Sequence, residues 1–202
     1  MNIYGAGGHA KVVISIARAL NIKIDNIFDD DANKLELFGL KINKEFNSQS
    51  YKNEKFIVAV GNNKIRKQLA KMIGVNFETL IHPSSCINDK TKIGQGSVLM
   101  HESIIQIDTI IKEHCIINTK ASIDHDCFIE SYVHIGPGAI LCGNIKVGEG
   151  TIIGAGAVVI PNISIGKWCV IGAGAVVIND IPDYSMVVGI PGVIKKKLSI
   201  DE

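Results

Sequence analysis

The sequence predicts an α/β N-terminal Rossmann-like subdomain followed by an all-β left-handed parallel β-helix of hexapeptide repeats. Two observations carry this. From Ile87 to Val177 every sixth residue is Ile, Leu or Val, sixteen times in sixteen and without an insertion. Before residue 83 that period is absent, and short apolar runs alternate with helical segments through Gly-rich loops. Composition agrees: Ile supplies 36 of 202 residues and aromatics only 5%, a bias that favours strands.

The same composition bounds function. With 47% hydrophobic and 20% charged residues the chain buries a core. A net charge of +1, from 21 Lys+Arg against 20 Asp+Glu, gives no electrostatic case for nucleic acid or a membrane surface. No run approaches the roughly 18 apolar residues of a transmembrane helix. Met1 is followed by no charged segment leading into an apolar stretch, so the expected location is cytoplasmic. Lys outnumbers Arg 19 to 2, with only Arg18 and Arg66 present. A bound phosphate is therefore expected on backbone N–H groups rather than on an arginine cluster.

In chain order, residues 2–5 read as a strand running into Gly5-Ala6-Gly7-Gly8-His9-Ala10, and residues 11–20 as a helix. A second strand, 24–28, ends in Asp29-Asp30-Asp31. A third, 56–60, ends in Gly61-Asn62-Asn63 before a helix over 64–72, and a fourth, 77–81, runs into His82-Pro83. This alternation makes residues 1–82 a small parallel sheet with helices. A Gly5-x-Gly7-x-x-Ala10 loop between strand and helix offers helix-start N–H groups to a diphosphate. Four strands suit a mononucleotide or nucleotide-sugar better than NAD. The same loop also fits a turn that binds nothing.

Residues 83–202 form the second domain. A strict period of six belongs to a parallel β-helix, three hexapeptides making a triangular coil of about 18 residues and residues 87–182 about five coils. Four places after each aliphatic stands a small or β-branched residue, as at Ser97, Thr109, Cys115 and Ala121, which fits the narrow interior. Glycines gather one and three places after it, where corners demand backbone freedom. Pro137 and Pro161 also fall at corners. Cys115, Cys127 and Cys169 take the small inward position and read as core thiols. Five cysteines without metal-type spacing argue against both disulfides and zinc.

Hexapeptide β-helices commonly serve acyl transfer, although a fold does not prove a function. The motif order here resembles the PglD/NeuD-like sugar acetyltransferases. The residues concerned are the Gly-Ala-Gly-Gly-His loop, the Asp-Asp after the second strand, Gly61-Asn62-Asn63-x-x-Arg66, Ile117-Asn118-Thr119, Asp124-His125-Asp126-Cys127, Val133-His134-Ile135 and Gly189-Ile190-Pro191-Gly192. The resemblance implies a homotrimer that moves acetyl from acetyl-CoA, with no metal, to a nucleotide-linked amino sugar. The expected reaction is N-acetylation of the 4-amine of a UDP-linked 4-amino-4,6-dideoxy sugar for bacterial surface glycan. The alternative is O-acetylation of sialic acid or a related sugar hydroxyl.

Residue by residue, the resemblance assigns catalysis to His125 with Asp126. It assigns the nucleotide-sugar to Gly7, Gly8, His9, Asp30, Asp31 and Gly61, and the cofactor to His134, Gly143, Ala155 and Ala173. Asn118 would orient the acceptor or the thioester. Because Asp29 shifts the acidic run by one place, the two carboxylates that serve stay open. His125 also stands on its own position: two places after Ile123, at a corner, its ring points outward. Acyl transfer to an amine needs a base, and a flanking carboxylate sets an imidazole's tautomer. An exposed polar corner is the plain reading.

Gly143, one coil beyond His125, offers an N–H to the thioester oxyanion. His134 lies half a coil from His125 and faces another edge, so that a trimer is needed to join them; it fits inter-subunit packing equally well. Lys195-Lys196-Lys197 fits either the CoA 3′-phosphate or ordinary soluble surface. His82 reads as structural, and His101 and His114 as outward residues without a role. Two other function classes remain. A metal-dependent hydratase needs three converging histidines, which the spacings 101, 114, 125 and 134 do not supply. A non-catalytic β-helix scaffold would bind no CoA.

Overall fold

The computed structural model describes residues 1–31, 33–74 and 76–199. At the N-terminus, strands β1 (Asn2–Tyr4), β2 (Asn26–Phe28), β3 (Glu36–Leu37), β4 (Leu40–Asn43) and β5 (Phe56–Val58) form one sheet in the order β3-β4-β2-β1-β5. β1 pairs in parallel with β2 and β5, and β2 with β4. Helices α1 (Gly8–Ala19) and α2 (Asn63–Ile73) follow β1 and β5, so both nucleotide-type loops leave the same edge of the sheet. Each helix begins earlier than its apolar periodicity suggests. Asn62 caps α2 through its side chain to the Ile65 N–H, and Gly74 ends that helix in the left-handed conformation.

The expected fourth strand divides. Phe77 makes an isolated parallel bridge to Phe56, whereas Leu80–Ile81 pairs with Val98–Leu99 and is already a rung of the β-helix. The sheet gains instead, at its opposite edge, the β3–β4 hairpin, closed by Phe38 and Gly39 at φ 53° and 77°. Two positive-φ residues in a two-residue hairpin turn are what strand twist favours. Each arm is too short to display a period, so alternation did not reveal it.

The β-helix is built as its period requires. Every aliphatic from Ile87 to Val177 ends a two-residue strand, and through Val159 each such strand pairs in parallel with the one 18 residues on, as Ile105↔Ile123 and Ile123↔Leu141. Three faces result. The first runs from Leu80–Ile81 through Val98–Leu99, Ile116–Ile117, His134–Ile135 and Ile152–Ile153 to Val170–Ile171, and is extended by Ser185–Val188 and the antiparallel Val193–Lys197. The second runs from Cys86–Ile87 to Val176–Val177, and the third from Lys92–Ile93 to Ser164–Ile165.

Inside, the small residues do more than save volume. The Cys115 N–H donates to Ser97 Oγ, Cys127 N–H to Thr109 Oγ, and Cys169 N–H to Thr151 Oγ. Those hydroxyls donate in turn to the carbonyls of Lys112, Asp124 and Gly166. Buried corner amides that lack a ladder partner are thus paired by side chains. The core thiols donate likewise, Cys115 to Glu130 and Cys127 to Cys142. Burial pushes their pKa values up to about 12 and about 11, which leaves them unreactive.

The two corner glycine positions have different causes. Every sixth residue from Gly96 to Gly174 has positive φ, glycine or not, and includes Asp126 at 58°. The glycines two places earlier have ordinary φ but no room: a Cβ on Gly94 would lie 2.5 Å from the Lys112 carbonyl carbon of the next coil. A Cβ on Gly138 meets nothing within 4 Å. Gly94→Ala is therefore expected to cost roughly 2–3 kcal/mol by overpacking. Gly138→Ala should lose only about 1 kcal/mol for its left-handed backbone. Urea unfolding of the two variants compares them, and equal losses would refute the distinction.

The N-terminal domain sits on the first face. Val13, Ile14 and Ile16 of α1 share one buried cluster with Leu80, Val98, Met100 and Ile116. The third face carries polar residues outward at Lys92, Lys146 and Ser164. The second turns Ile104, Ile140, Ile160 and Ile178 to solvent, each 36–45% exposed. Among the described residues no helix is long and apolar enough to cross a membrane.

Candidate active site

Two groups of residues carry chemistry, and in one chain they lie on different corners of the prism. His125 stands at the corner between the second and third faces, in a column with Ile107 and Gly143 defined by Asp126 N–H→Ile107 O and Asn144 N–H→His125 O. Its side chain is 53% exposed, and Nδ1 lies 2.7 Å from Asp126 Oδ2. The left-handed backbone at Asp126 curls that short carboxylate back onto the ring. Asp124 turns the other way and accepts the His125 N–H at 2.8 Å. The Asp126 hydrogen bond, opposed by desolvation and reinforced by the charges of Asp124 and Asp126, raises the imidazole above its ordinary value.

The ring lies flat over Gly143, where a Cβ would come within 2.5 Å of His125 Cε1. Only glycine leaves the imidazole this seat. With Nδ1 of this exposed side chain engaged by the carboxylate, Nε2 carries the lone pair, as a general base requires.

The corner between the first and second faces holds Ala155 and Ala173, two more of the expected cofactor residues. Gly138 N–H→Thr119 O, Gly156 N–H→Pro137 O and Gly174 N–H→Ala155 O stack His101, Thr119, Pro137, Ala155 and Ala173 in one column. Beside it Gly138, Gly156 and Gly174 face open space. The result is a trough of exposed backbone along that corner. Gly143 is not part of this trough; it belongs to the His125 corner.

The N-terminal loops lie over the first face, where Arg66 and Asn63 anchor the loop after β5 at the corner of His114, Tyr132 and Gly150. Gly5 is structural: at φ 110° its Cα faces Ala59 O, 2.8 Å from an added Cβ. Gly7 and Gly8 open onto empty space, and Gly7 caps α1 without a side-chain hydrogen bond, so the helix-start amides are available. His9 Nε2 is buried without a partner, and burial, then Arg66 and His134, push its pKa down to about 3. A neutral imidazole with an unpaired nitrogen beside a Gly loop invites a ligand group.

The three aspartates separate by partner. Asp29 accepts the Ala6 and Asp31 N–H groups at 2.6 and 2.9 Å and pairs with Lys34 at 3.0 Å. Burial pushes its carboxyl up, but those amides and Lys34 outweigh it and hold the pKa below its ordinary value. Asp29 therefore clamps the first loop to the second. Asp30 accepts the Tyr4 hydroxyl at 2.6 Å, and Asp31 lies exposed at the loop end. The two positions expected to meet a ligand are the two not engaged by backbone of the Gly loop.

His134 lies on the first face under these loops. It bonds the Gly61 backbone, and its Nε2 lies 3.1 Å from Asn118 Nδ2. Burial, then Arg66, lowers its pKa to about 4 against that Gly61 bond. His134 is thus a neutral link between the domains, unlike the exposed His125. His114, expected to point outward, is 4% exposed. The N-terminal domain covers it, and it packs edge-on to Phe77 and flat against Tyr132. His101 stacks on His82 at 3.7 Å, and His82 Nδ1 meets Ser84 Oγ.

Arg66 received no role from its position in the sequence. It is 1% exposed, and all five of its N–H groups are used. Nε donates to His114 O, Nη1 to the carbonyls of Val60 and Gly61, and Nη2 to Asn63 Oδ1 and Tyr132 O, at 2.8–3.2 Å. Asn63 Nδ2 donates to Gly150 O and Thr151 O. These two residues bolt the third-strand loop to the β-helix. The available signal was an arginine kept in a lysine-rich chain, since only guanidinium serves such a fork of acceptors.

Among the described residues no group of three or more His, Cys, Asp or Glu could hold a metal ion. The Lys195–Lys197 run lies in the exposed final strand beyond the first face.

The chain matches the family model of the PglD N-terminal domain over residues 1–73 and bacterial transferase hexapeptides over residues 126–161 and 144–179. GDP-perosamine N-acetyltransferase of Escherichia coli O157:H7 is 33% identical over 171 residues, 75% of this chain and 76% of that protein. UDP-N-acetylbacillosamine N-acetyltransferase of Bacillus subtilis is 41% identical over 112 residues, 48% of this chain and 50% of that protein. Among solved structures, PerB from Caulobacter crescentus, in complex with CoA and GDP-perosamine, superposes with a TM-score of 0.91 at 35% identity over 96% of both chains. The acetyltransferase domain of PglB from Neisseria gonorrhoeae, in complex with acetyl coenzyme A, gives 0.86 at 36% identity over 96% of this chain and 97% of that one.

Proposed function

The chain belongs to the PglD/NeuD-like family of sugar acetyltransferases, and from that membership we propose its acceptor, its base and its assembly. The acceptor is the 4-amine of a UDP-linked 4-amino-4,6-dideoxy sugar destined for bacterial surface glycan. The amine nitrogen attacks the thioester carbonyl of acetyl-CoA, a C–N bond forms and the C–S bond breaks. His125 Nε2 takes the ammonium proton and returns it to the departing CoA thiolate, so the products are an amide and free thiol. Asp126 stabilises the imidazolium, and the Gly143 N–H serves the oxyanion. One observation carries the reading: an exposed imidazole seated on a glycine, with Nδ1 held by a carboxylate and Nε2 free.

In this reading the nucleotide diphosphate lies on the α1 amides at Gly7 and Gly8 and near Gly61, with His9, Asp30 and Asp31 meeting the remainder. Acetyl-CoA lies in the trough past Ala155 and Ala173, flanked by His134 and Asn118. The assembly is a homotrimer. The apolar second face is bounded by the trough corner on one side and the His125 corner on the other. Three copies turning that face to a common axis would set His125 of one beside the trough of the next. A cytoplasmic location suits a reaction between two soluble metabolites.

A second reading keeps the chemistry and changes the base to guanine, as in the GDP-perosamine enzymes whose names cover most of this chain. Thiol release from acetyl-CoA, measured with UDP- and GDP-linked 4-amino sugars and with sialic acid, tests both. The expected result is release with the UDP sugar. Release with the GDP sugar alone selects the second reading, and release with sialic acid alone overturns N-acetylation.

A further inference from the structure

The link from Arg66 to the trough passes through two residues whose orientations backbone atoms determine. Asn118 Oδ1 accepts the Thr119 N–H at 2.8 Å, so the amide NH2 must face His134. It lies 3.1 Å from Nε2, which therefore accepts and carries no proton. The ring proton is then on Nδ1, and the Gly61 backbone bonded to His134 must receive it through its carbonyl. That same carbonyl accepts Arg66 Nη1 at 3.2 Å. Arg66 is in turn held by His114 O and Tyr132 O, on the fixed corner of the β-helix.

We propose that Arg66 is a positioning residue: by holding the Gly61 carbonyl it locks His134 in the Nδ1–H tautomer and aims the Asn118 amide along the Thr119–Ala155–Ala173 corner. The loop that would receive the nucleotide-sugar is thereby coupled to the trough that would receive the cofactor. Its consequence for turnover rests on the acetyltransferase reading, whereas the tautomer does not. A lysine in place of Arg66 has one ammonium and cannot span the Gly61 carbonyl and the carbonyls of His114 and Tyr132 together.

Nitrogen NMR of the full chain labelled at histidine reads the tautomer near neutral pH. Wild type is expected to show His134 with Nε2 unprotonated. Arg66→Lys should mix the tautomers and raise KM for acetyl-CoA about tenfold, with kcat changed far less. Lys67→Ala, which removes the junction ion pair to Glu149 without touching Arg66, should lower Tm and leave both the His134 spectrum and KM unchanged. An Nε2–H His134 in wild type overturns the proposal. So does an unchanged tautomer in Arg66→Lys, or the same shift in both variants. Should Arg66→Lys fail to fold, the wild-type spectrum still decides. A tautomer response without acetyl transfer defeats the enzymatic reading alone; transfer without the response defeats the positioning alone.

Discussion

His125→Ala is expected to lower kcat/KM for acetyl transfer by about two to four orders of magnitude, the range of a positioned general base. The fold should survive, because the ring is half exposed, rests on Gly143 and holds no other element in place. CoA binding should survive too, since the trough lies on another corner. Thiol release and CoA titration on the same variant separate the two effects. Unchanged kcat/KM would remove His125 from the chemistry. The sign of the pH dependence follows from the Asp126 contact. The neutral ring is the base, and its raised pKa keeps it protonated to higher pH, so the acid limb of kcat/KM lies above the ordinary histidine value. Asp126→Asn removes the chief cause of that rise. Its acid limb should therefore move to lower pH while the plateau falls, and a limb that stays in place would show that Asp126 does not tune His125.

Arg66→Met is expected to destabilise the protein by about 3–5 kcal/mol, because it strips N–H donors from buried carbonyls in both domains at once. Val60, Gly61, His114 and Tyr132 each lose a partner, and Asn63 Oδ1 loses its own. Trp168, the single tryptophan, lies 5.3 Å from Lys67 Nζ of α2 and is a natural reporter of this junction in urea. A loss below about 1 kcal/mol, the worth of one ordinary hydrogen bond, would mean that water replaces the guanidinium.

Much of the site was legible because of where the period placed it. His125, two places after Ile123 and one before a left-handed corner residue, had to point outward, and Gly143, one coil on, had to lie next to it. Ala155 and Ala173 follow each other by the same 18-residue register. The aspartates were not separable from sequence. Asp29, Asp30 and Asp31 differ only in which amide, hydroxyl or lysine reaches each one, and those partners come from β1, the Gly loop and Lys34. His114 was misread for a related reason. Its corner does point away from the β-helix interior, but a second domain lies against it.

A six-residue period with alternating interior demands is a local constraint. Each aliphatic, each small inward residue and each corner glycine satisfies it within a few positions of chain, and repetition removes ambiguity. The β-helix, its register and the outward aim of His125 were therefore determined residue by residue. Contacts between segments far apart obey no such local rule. The burial of Arg66 against carbonyls 48 and 66 residues away, the neutral His134 shared by two domains, and the division of the strand before His82 depend on how one domain sits on a face of the other. That docking is chosen by the complementary shapes and unpaired polar groups of two assembled surfaces, which exist only once both have folded.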